Sequence, residues 1–319
     1  MLDVSNLVVR RRTAESDGVV SLELQAPDGG ELPGWEPGAH VDLLLADGIV
    51  RQYSLCGDPL DTATWRIAVL REPDGRGGST HIHDHLHEGA DIAVRGPRNH
   101  FALDDSPRYV FVAGGIGITP IMAMAHRAEQ NGTEWQMYYL GRSQASMPFT
   151  HDLTATYPER VTVWADEQRG TTIDLGTLLD EPDDQTLIYC CGPGGLIDAV
   201  ERRTTHWPDG ALHIERFAAK DQPDDVASEA LDTFQVECRR SGITVDVGAE
   251  QPILEALEDA DIPIMSSCLE GMCGTCQTGV LEGTPDHRDS LLSDADRDAG
   301  HTILPCVSRS RTPMLVLDL

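Results

Sequence analysis

The chain has 319 residues with 53 acidic and 24 basic side chains, a formal charge of −29, and 40% hydrophobic residues. That length fits two or three domains with their own cores and excludes wholesale disorder, while so negative a surface argues against nucleic-acid binding and against anionic membranes. The N-terminus has neither the basic nor the apolar region of a signal peptide, and the longest apolar run, Val110 to Ala125, is short and broken by Gly114, Gly115, Gly117 and Pro120; a cytoplasmic chain with no membrane span is expected.

In chain order, residues 1–103 read as β-rich. Strands are expected at Val19–Leu24, His40–Leu45 and Trp65–Leu70, separated by Gly34–Gly38, Asp47-Gly48 and Asp74-Gly75 turns. Short strands at this spacing predict an antiparallel barrel or sandwich. From Arg108 the pattern changes. Strands at Tyr109–Ala113, Trp135–Leu140, Val161–Trp164 and Leu187–Cys190 alternate with helical stretches, the first at Ile121–Gln130. That alternation predicts a parallel α/β domain over 104–222. Polar, acidic residues 223–230 read as a linker. The last segment, 231–319, opens with strands at Phe234–Cys238 and Ile243–Val247 and a helix at Ile253–Asp259.

Eight cysteines without a secretion signal point to metal or redox chemistry rather than a disulfide framework. Cys268, Cys273 and Cys276 form C-x4-C-x2-C, and Cys306 follows after 29 intervening residues. This is the plant-type [2Fe–2S] spacing, whereas structural zinc sites usually show two C-x2-C pairs. Gly271 and Gly274 let the loop turn its N–H groups toward sulfur. Cys56 and Cys238 read as small apolar fillers.

Gly114-Gly115-Ile116-Gly117-Ile118-Thr119-Pro120 lies between a strand and a helix, where it is either a pyrophosphate cradle or a plain tight turn. A second turn, Cys191-Gly192-Pro193, follows the last apolar strand, at the edge where open α/β sheets bind ligands. In the first segment Arg51-Gln52-Tyr53-Ser54 puts Arg51 and Tyr53 on one strand face. Arg76-Gly77-Gly78-Ser79 offers N–H groups and a hydroxyl before a helix. His81, His83, His85 and His87 alternate, but on a helix they scatter around the axis, and only His81 and His85 share a face.

Taken in order, these motifs resemble the phthalate dioxygenase reductase family within the ferredoxin–NADP reductase superfamily, over nearly the whole chain. The resemblance implies an antiparallel β-barrel flavin domain, an α/β parallel-sheet nucleotide domain and an α+β (β-grasp) ferredoxin domain. It implies FMN in the barrel, with Arg51 and Arg76, Gly77, Gly78 and Ser79 on the phosphate. Gln52, Tyr53 and Ser54 would lie along the flavin, Ala68, Val69 and Leu70 would line its ring, and Phe217 would cap it. Gly114, Gly115, Gly117, Thr119, Pro120, Arg142, Ser143, Cys191, Gly192 and Pro193 would hold NAD(P), with Thr119 where nicotinamide meets flavin. Cys268, Cys273, Cys276 and Cys306 would hold the cluster. Arg216, beside Phe217, departs from a position that varies among relatives.

No adenylate-binding segment accompanies the Arg-Gly-Gly-Ser loop, which favours FMN over FAD. After the second nucleotide-domain strand no acidic residue is present to hold a ribose; Arg142 there would meet a 2′-phosphate or flank the adenine, and the family's usual donor is NADH, with NADPH the other candidate. A nicotinamide yields two electrons and the cluster accepts one, so a flavin must stand between them. No general base is needed, and no triad or His-Glu-x-x-His motif is present. The expected role is a reductase feeding a Rieske-type oxygenase, an O-demethylase or a cytochrome P450. A stand-alone flavin or ferric reductase and a non-enzymatic iron–sulfur sensor are the rivals. Residues 231–319 alone carry 16 acidic and 6 basic side chains, which is expected to steer them toward a basic patch on the acceptor.

Overall fold

The computed structural model describes residues 4–218 and 233–319, so the expected linker at 223–230 lies outside the described residues. The chain divides into two compact units, Met1–Phe217 and Ala218–Leu319.

The first unit begins with β1 (Val4–Ser16), β2 (Val19–Gln25), β3 (Ala39–Leu44), β4 (Val50–Ser54), β5 (Trp65–Leu70), helix α1 (Gly78–His85) and β6 (Asp91–Asn99). These strands form one antiparallel sheet in the order β4-β3-β6-β1-β2-β5. A bridge between Leu55, just past β4, and Ile67 of β5 joins the two edges and closes the barrel. Alternation explains how both faces of β5 are used. Trp65, Ile67 and Val69 enter the barrel core with Leu22, Leu24, Val41 and Leu43. Ala68 points the other way, into a core shared with the next sheet. Each fully buried side chain of this size contributes about 1.5–3 kcal/mol.

That next sheet comprises β7 (Arg108–Gly114), helix α2 (Ile118–Gln130), β8 (Glu134–Gly141), α3 (Thr150–Thr156), β9 (Val161–Ala165), α4 (Asp166–Arg169), α5 (Gly176–Leu179), β10 (Thr186–Cys191), α6 (Gly194–Arg203) and β11 (Leu212–Glu215). Its order is β11-β10-β7-β8-β9, with every pair parallel. The chain winds outward from β7 through β8 to β9, then returns to lay β10 on the other side of β7. The carboxyl ends of β7 and β10 therefore meet at a topological switch point. Helix α2 starts at Ile118, three residues earlier than expected, because Pro120 falls in its first turn, where no amide donor is required. Ile118, Ile121, Met124, Ala125 and Ala128 form its buried stripe.

The second unit contains β12 (Phe234–Cys238), β13 (Ile243–Val247), α7 (Ile253–Asp259), β14 (Thr278–Glu282), β15 (Pro285–Asp286), α8 (Asp294–Ala299), β16 (Thr302–Ile303), β17 (Arg309–Ser310) and β18 (Met314–Leu317). Its five-stranded sheet runs β13-β12-β18-β14-β16, and β12 pairs with β18 in parallel. Helix α7 covers one face through Ile253, Ala256 and Leu257. Among the described residues no helix is long and apolar enough to cross a membrane.

Candidate functional site

At the switch point the two glycine turns press backbone against backbone. A Cβ on Gly117 would lie 2.6 Å from Gly192 N, and one on Gly114 would lie 2.7 Å from Pro193 Cδ. The glycines there are thus required for close approach of the two turns. Thr119 is buried, and its hydroxyl donates to the Ile116 carbonyl at 3.0 Å, fixing the turn. Tyr139 braces the same turn from below, donating to the Gly115 and Pro148 carbonyls.

Cys191, the last residue of β10, pairs in register with Glu215 at the end of β11. The Glu215 carboxyl hydrogen-bonds the Ser54 hydroxyl of β4, and its Oε2 is buried with no partner. Burial pushes Glu215 up to about 8, and the Ser54 bond only partly opposes this. Burial, followed by the proximity of Glu215 and Cys190, also keeps the Cys191 thiol protonated. Sequence reasoning named Ser54 and Cys191 but missed Glu215, whose place depends on strand register. The result is a buried cluster from three distant segments in which burial favours the uncharged forms of Cys191 and Glu215.

On the barrel, Arg51 Nη2 donates to the Arg76 carbonyl at 3.0 Å, tying β4 to the Arg-Gly-Gly-Ser loop. A Cβ on Gly78 would fall 2.8 Å from Arg51 Nε, so this glycine makes room for the guanidinium at the start of α1. The Ser79 hydroxyl accepts the Glu72 amide. Desolvation raises the Tyr53 phenol well above its ordinary range. Ala68 and Val69 are buried and Leu70 is half-buried. The Val69 carbonyl is occupied by His83 Nε2 at 2.9 Å, so His83 anchors α1 to β5. His81 and His85 share a face as expected, stacked with ring centroids 4.5 Å apart. Phe217 is exposed directly beyond β11.

Further along the sheet edge, Arg142 is exposed and Ser143 follows it, past β8. The Gly141-Arg142-Ser143 turn itself carries no acidic residue. On the neighbouring strand Gly141 pairs with Ala165, and Asp166 and Glu167 follow at once, with the Glu167 amide donating to the Arg142 carbonyl at 2.9 Å.

In the second unit Cys268, Cys273, Cys276 and Cys306 are all buried. Cys268 Sγ accepts the Glu270 and Met272 amides, and Cys273 Sγ accepts the Thr275 amide. The thiols associate two by two, Cys268 with Cys273 and Cys276 with Cys306; the hydrogen bond from Cys273 and burial raise the Cys268 thiol above the ordinary range, and the bond from Cys276 and burial do the same to Cys306. Among the described residues no three His, Cys, Asp or Glu side chains converge on a single ion. Two thiol pairs suit two irons better than one tetrahedral zinc.

The turn that meets the loop is shaped by Asp289, another residue that sequence reasoning missed. Its carboxylate accepts the Leu291 and Leu292 amides at 3.1 and 2.7 Å, and the next amide, Ser290, donates to the Gly271 carbonyl.

Residues 236–311 match the 2Fe-2S iron-sulfur cluster binding domain, and residues 111–202 match the oxidoreductase NAD-binding domain. The solved structure of phthalate dioxygenase reductase, described as modular for electron transfer from pyridine nucleotides to [2Fe-2S], is 36% identical over 99% of this chain and 98% of its own, with a TM-score of 0.73. The chain belongs to the phthalate dioxygenase reductase family. Members of this family are NAD(P)H-dependent iron–sulfur flavoprotein reductases, and this reductase has their fold and domain types. It is also 42% identical to phenoxybenzoate dioxygenase subunit beta of Ectopseudomonas oleovorans, over 95% of this chain and 94% of that one. An intact type IV self-sufficient cytochrome P450 monooxygenase matches 99% of the reductase at 43% identity and a TM-score of 0.91; the reductase spans 41% of that longer chain.

Proposed function

We propose that this reductase carries electrons from NADH through FMN and a [2Fe–2S] cluster to an oxygenase, either a Rieske-type oxygenase or O-demethylase component or a cytochrome P450. The observation that carries the reading is the meeting of Ser54, Cys191 and Glu215 at the switch point, in a chain whose second unit pairs four thiols two by two. The relatives' names supply the acceptor class: one is a dioxygenase subunit and another a self-sufficient P450.

Residues 1–103 would serve as the flavin module, 104–222 as the nucleotide module, 223–230 as the linker and 231–319 as the ferredoxin. FMN fits the barrel on two observations: the Gly78 opening that seats Arg51, and the unpartnered Oε2 of Glu215. When bound, FMN supplies a centre that takes two electrons together and releases them singly, and the cluster supplies a one-electron carrier. Arg51 and Arg76–Ser79 would hold the FMN phosphate. Gln52, Tyr53 and Ser54 lie along the cofactor, Ala68–Leu70 line it, and Phe217 covers it.

Gly114, Gly115, Gly117, Thr119, Pro120, Gly192 and Pro193 shape the turn surface for NADH, and Cys191 walls its nicotinamide end. Asp166, which follows the strand beside that turn, would take a ribose hydroxyl, with Arg142 and Ser143 on the turn itself. Glu215 holds a proton at the pocket wall rather than a charge, which keeps repulsion away from an electron-rich ring. A cysteine set read as cluster ligands and small buried fillers, rather than as a disulfide framework, supports a reducing, cytoplasmic setting. The net acidity of residues 231–319 favours a partner with a basic docking patch.

Anaerobic titration with NADH, followed by absorbance, tests the reading. Flavin and cluster bands are expected to bleach in turn, and bleaching by neither NADH nor NADPH would overturn it. Removal of residues 231–319 is expected to leave flavin reduction intact and stop delivery to the oxygenase. Retained delivery would favour a stand-alone flavin reductase.

A further inference from the structure

Along β11 the side chains alternate. Ile214 packs toward α6 in the cluster with Val112, Ile197 and Val200, while His213 stacks on Tyr189 and Glu215 meets Ser54 on the opposite side. Arg216 follows and returns to the α6 side. Its side chain is only 5% exposed, and Nη2 donates to Asp198 Oδ1 and Glu201 Oε2, both at 2.7 Å. Asp198 and Glu201 are three residues apart, on one face of α6. Arg216 Nη1 also lies 3.8 Å from where a Cβ on Gly194 would sit, at the first residue of α6 beyond the Gly192-Pro193 turn.

A buried guanidinium is tolerated only when its charge is matched, and two carboxylates match this one. The ladder between β10 and β11 ends at the Cys191–Glu215 pair, so among the described residues no sheet pairing continues past it. Arg216 supplies that anchor from the side.

We propose that Arg216 is a positioning residue for electron uptake from NADH: by fastening the end of β11 to the first turns of α6, it holds Glu215 against Ser54 and sets Phe217 over the flavin site. This rests on the assignment of the Ser54–Cys191–Glu215 pocket to flavin and nicotinamide. One guanidinium thereby ties the helix that follows the nucleotide turn to the strand end that faces the flavin, so the two ligands' walls keep a fixed relation. Both contacts come from one nitrogen, so the single ammonium of a lysine, with three donors, can take the same two carboxylates and would preserve most of the anchor.

The test uses the full chain carrying FMN and cluster, mixed anaerobically with NADH in a stopped-flow instrument. Arg216→Met is expected to lower the limiting rate of flavin reduction about tenfold, equivalent to about 1.4 kcal/mol. NADH affinity should change less than about twofold, FMN should stay bound, and Arg216→Lys should recover most of the rate. A limiting rate in Arg216→Met equal to wild type would overturn the proposal. So would a rate loss that merely follows loss of FMN, or one that Arg216→Lys leaves uncorrected. If Arg216→Met does not fold, Asp198→Asn combined with Glu201→Gln, which leaves the arginine in place, is judged by the same rate and affinity criteria. The pocket assignment fails separately, if NADH leaves the wild-type flavin oxidised.

Discussion

At the carboxyl edge of the parallel sheet the proposed ligand surface is made by two backbones in contact, Gly117 against Gly192, and burial favours the neutral forms of Cys191 and Glu215 beside it. In the cysteine loop of the second unit the backbone instead passes through left-handed conformations at Leu269, Gly271 and Gly274, and it is met by a turn that the buried Asp289 carboxylate shapes, whose Ser290 amide donates to the Gly271 carbonyl. The first surface inherits its rigidity from strand order. The second has no ladder of its own and depends on a few particular side chains. A site built on topology should therefore tolerate changes in its side chains and resist changes in its backbone, and a site built on a loop should do the reverse.

Substitution can break this contrast. The largest effect is expected at Cys276→Ser, which removes one member of the Cys276–Cys306 pair: cluster absorbance and delivery to a one-electron protein acceptor should be abolished, while NADH still reduces the flavin. Next comes Asp289→Ala. Two loop amides lose their acceptor in a buried setting, so the second unit should lose about 2–4 kcal/mol in a chemical melt, with the first unit unchanged. On the sheet edge, Gly117→Ala forces the two turns apart at a cost of about 1–3 kcal/mol, seen as roughly tenfold weaker NADH binding with FMN and cluster content preserved.

The smallest effect is a change in pH dependence at Glu215. Its carboxyl ionises at about 8 in the folded chain, against an ordinary value of 4.5. Between those values the unfolded chain has lost the proton that the folded chain keeps, so stability falls as pH rises and the loss is complete above about pH 8. Glu215→Gln cannot ionise. Its melting profile should be flatter between pH 5 and pH 8, with its gain over wild type greatest at the upper end. An equally steep profile in Glu215→Gln would place the titrating group elsewhere.

The same contrast accounts for what the sequence made readable. Cysteine is the ligand itself, so C-x4-C-x2-C announced the second site without any knowledge of the fold. The strands at Trp65–Leu70, Phe234–Cys238 and Ile243–Val247 and the helix at Ile253–Asp259 stand where their apolar patterns place them. Strand β1 escaped notice because Arg10-Arg11-Arg12 reads as a solvated segment; Leu7 and Val9 nonetheless bury, and β2 and β6 pair on either side. Strand β6 was hidden by Gly96 and Pro97, which fall where its register with β3 slips and a ladder bond is not needed. Glu215, Asp166 and Arg216 share a different reason. The role proposed for each depends on the neighbour that strand pairing or helix packing supplies, and that neighbour is on another element.

The two-by-two association of the thiols also bears on chain entropy. Cys268 and Cys273 belong to one short loop, but Cys276 and Cys306 enclose 29 residues that include β14, α8 and β16. Any group that bridges the second pair acts as a cross-link around that excursion, removing about 3–4 kcal/mol worth of disorder from the unfolded chain much as a disulfide of that span would. Redox centre and structural fastener are then one object, and the strand that ends the chain, β18, lies just beyond the clasp.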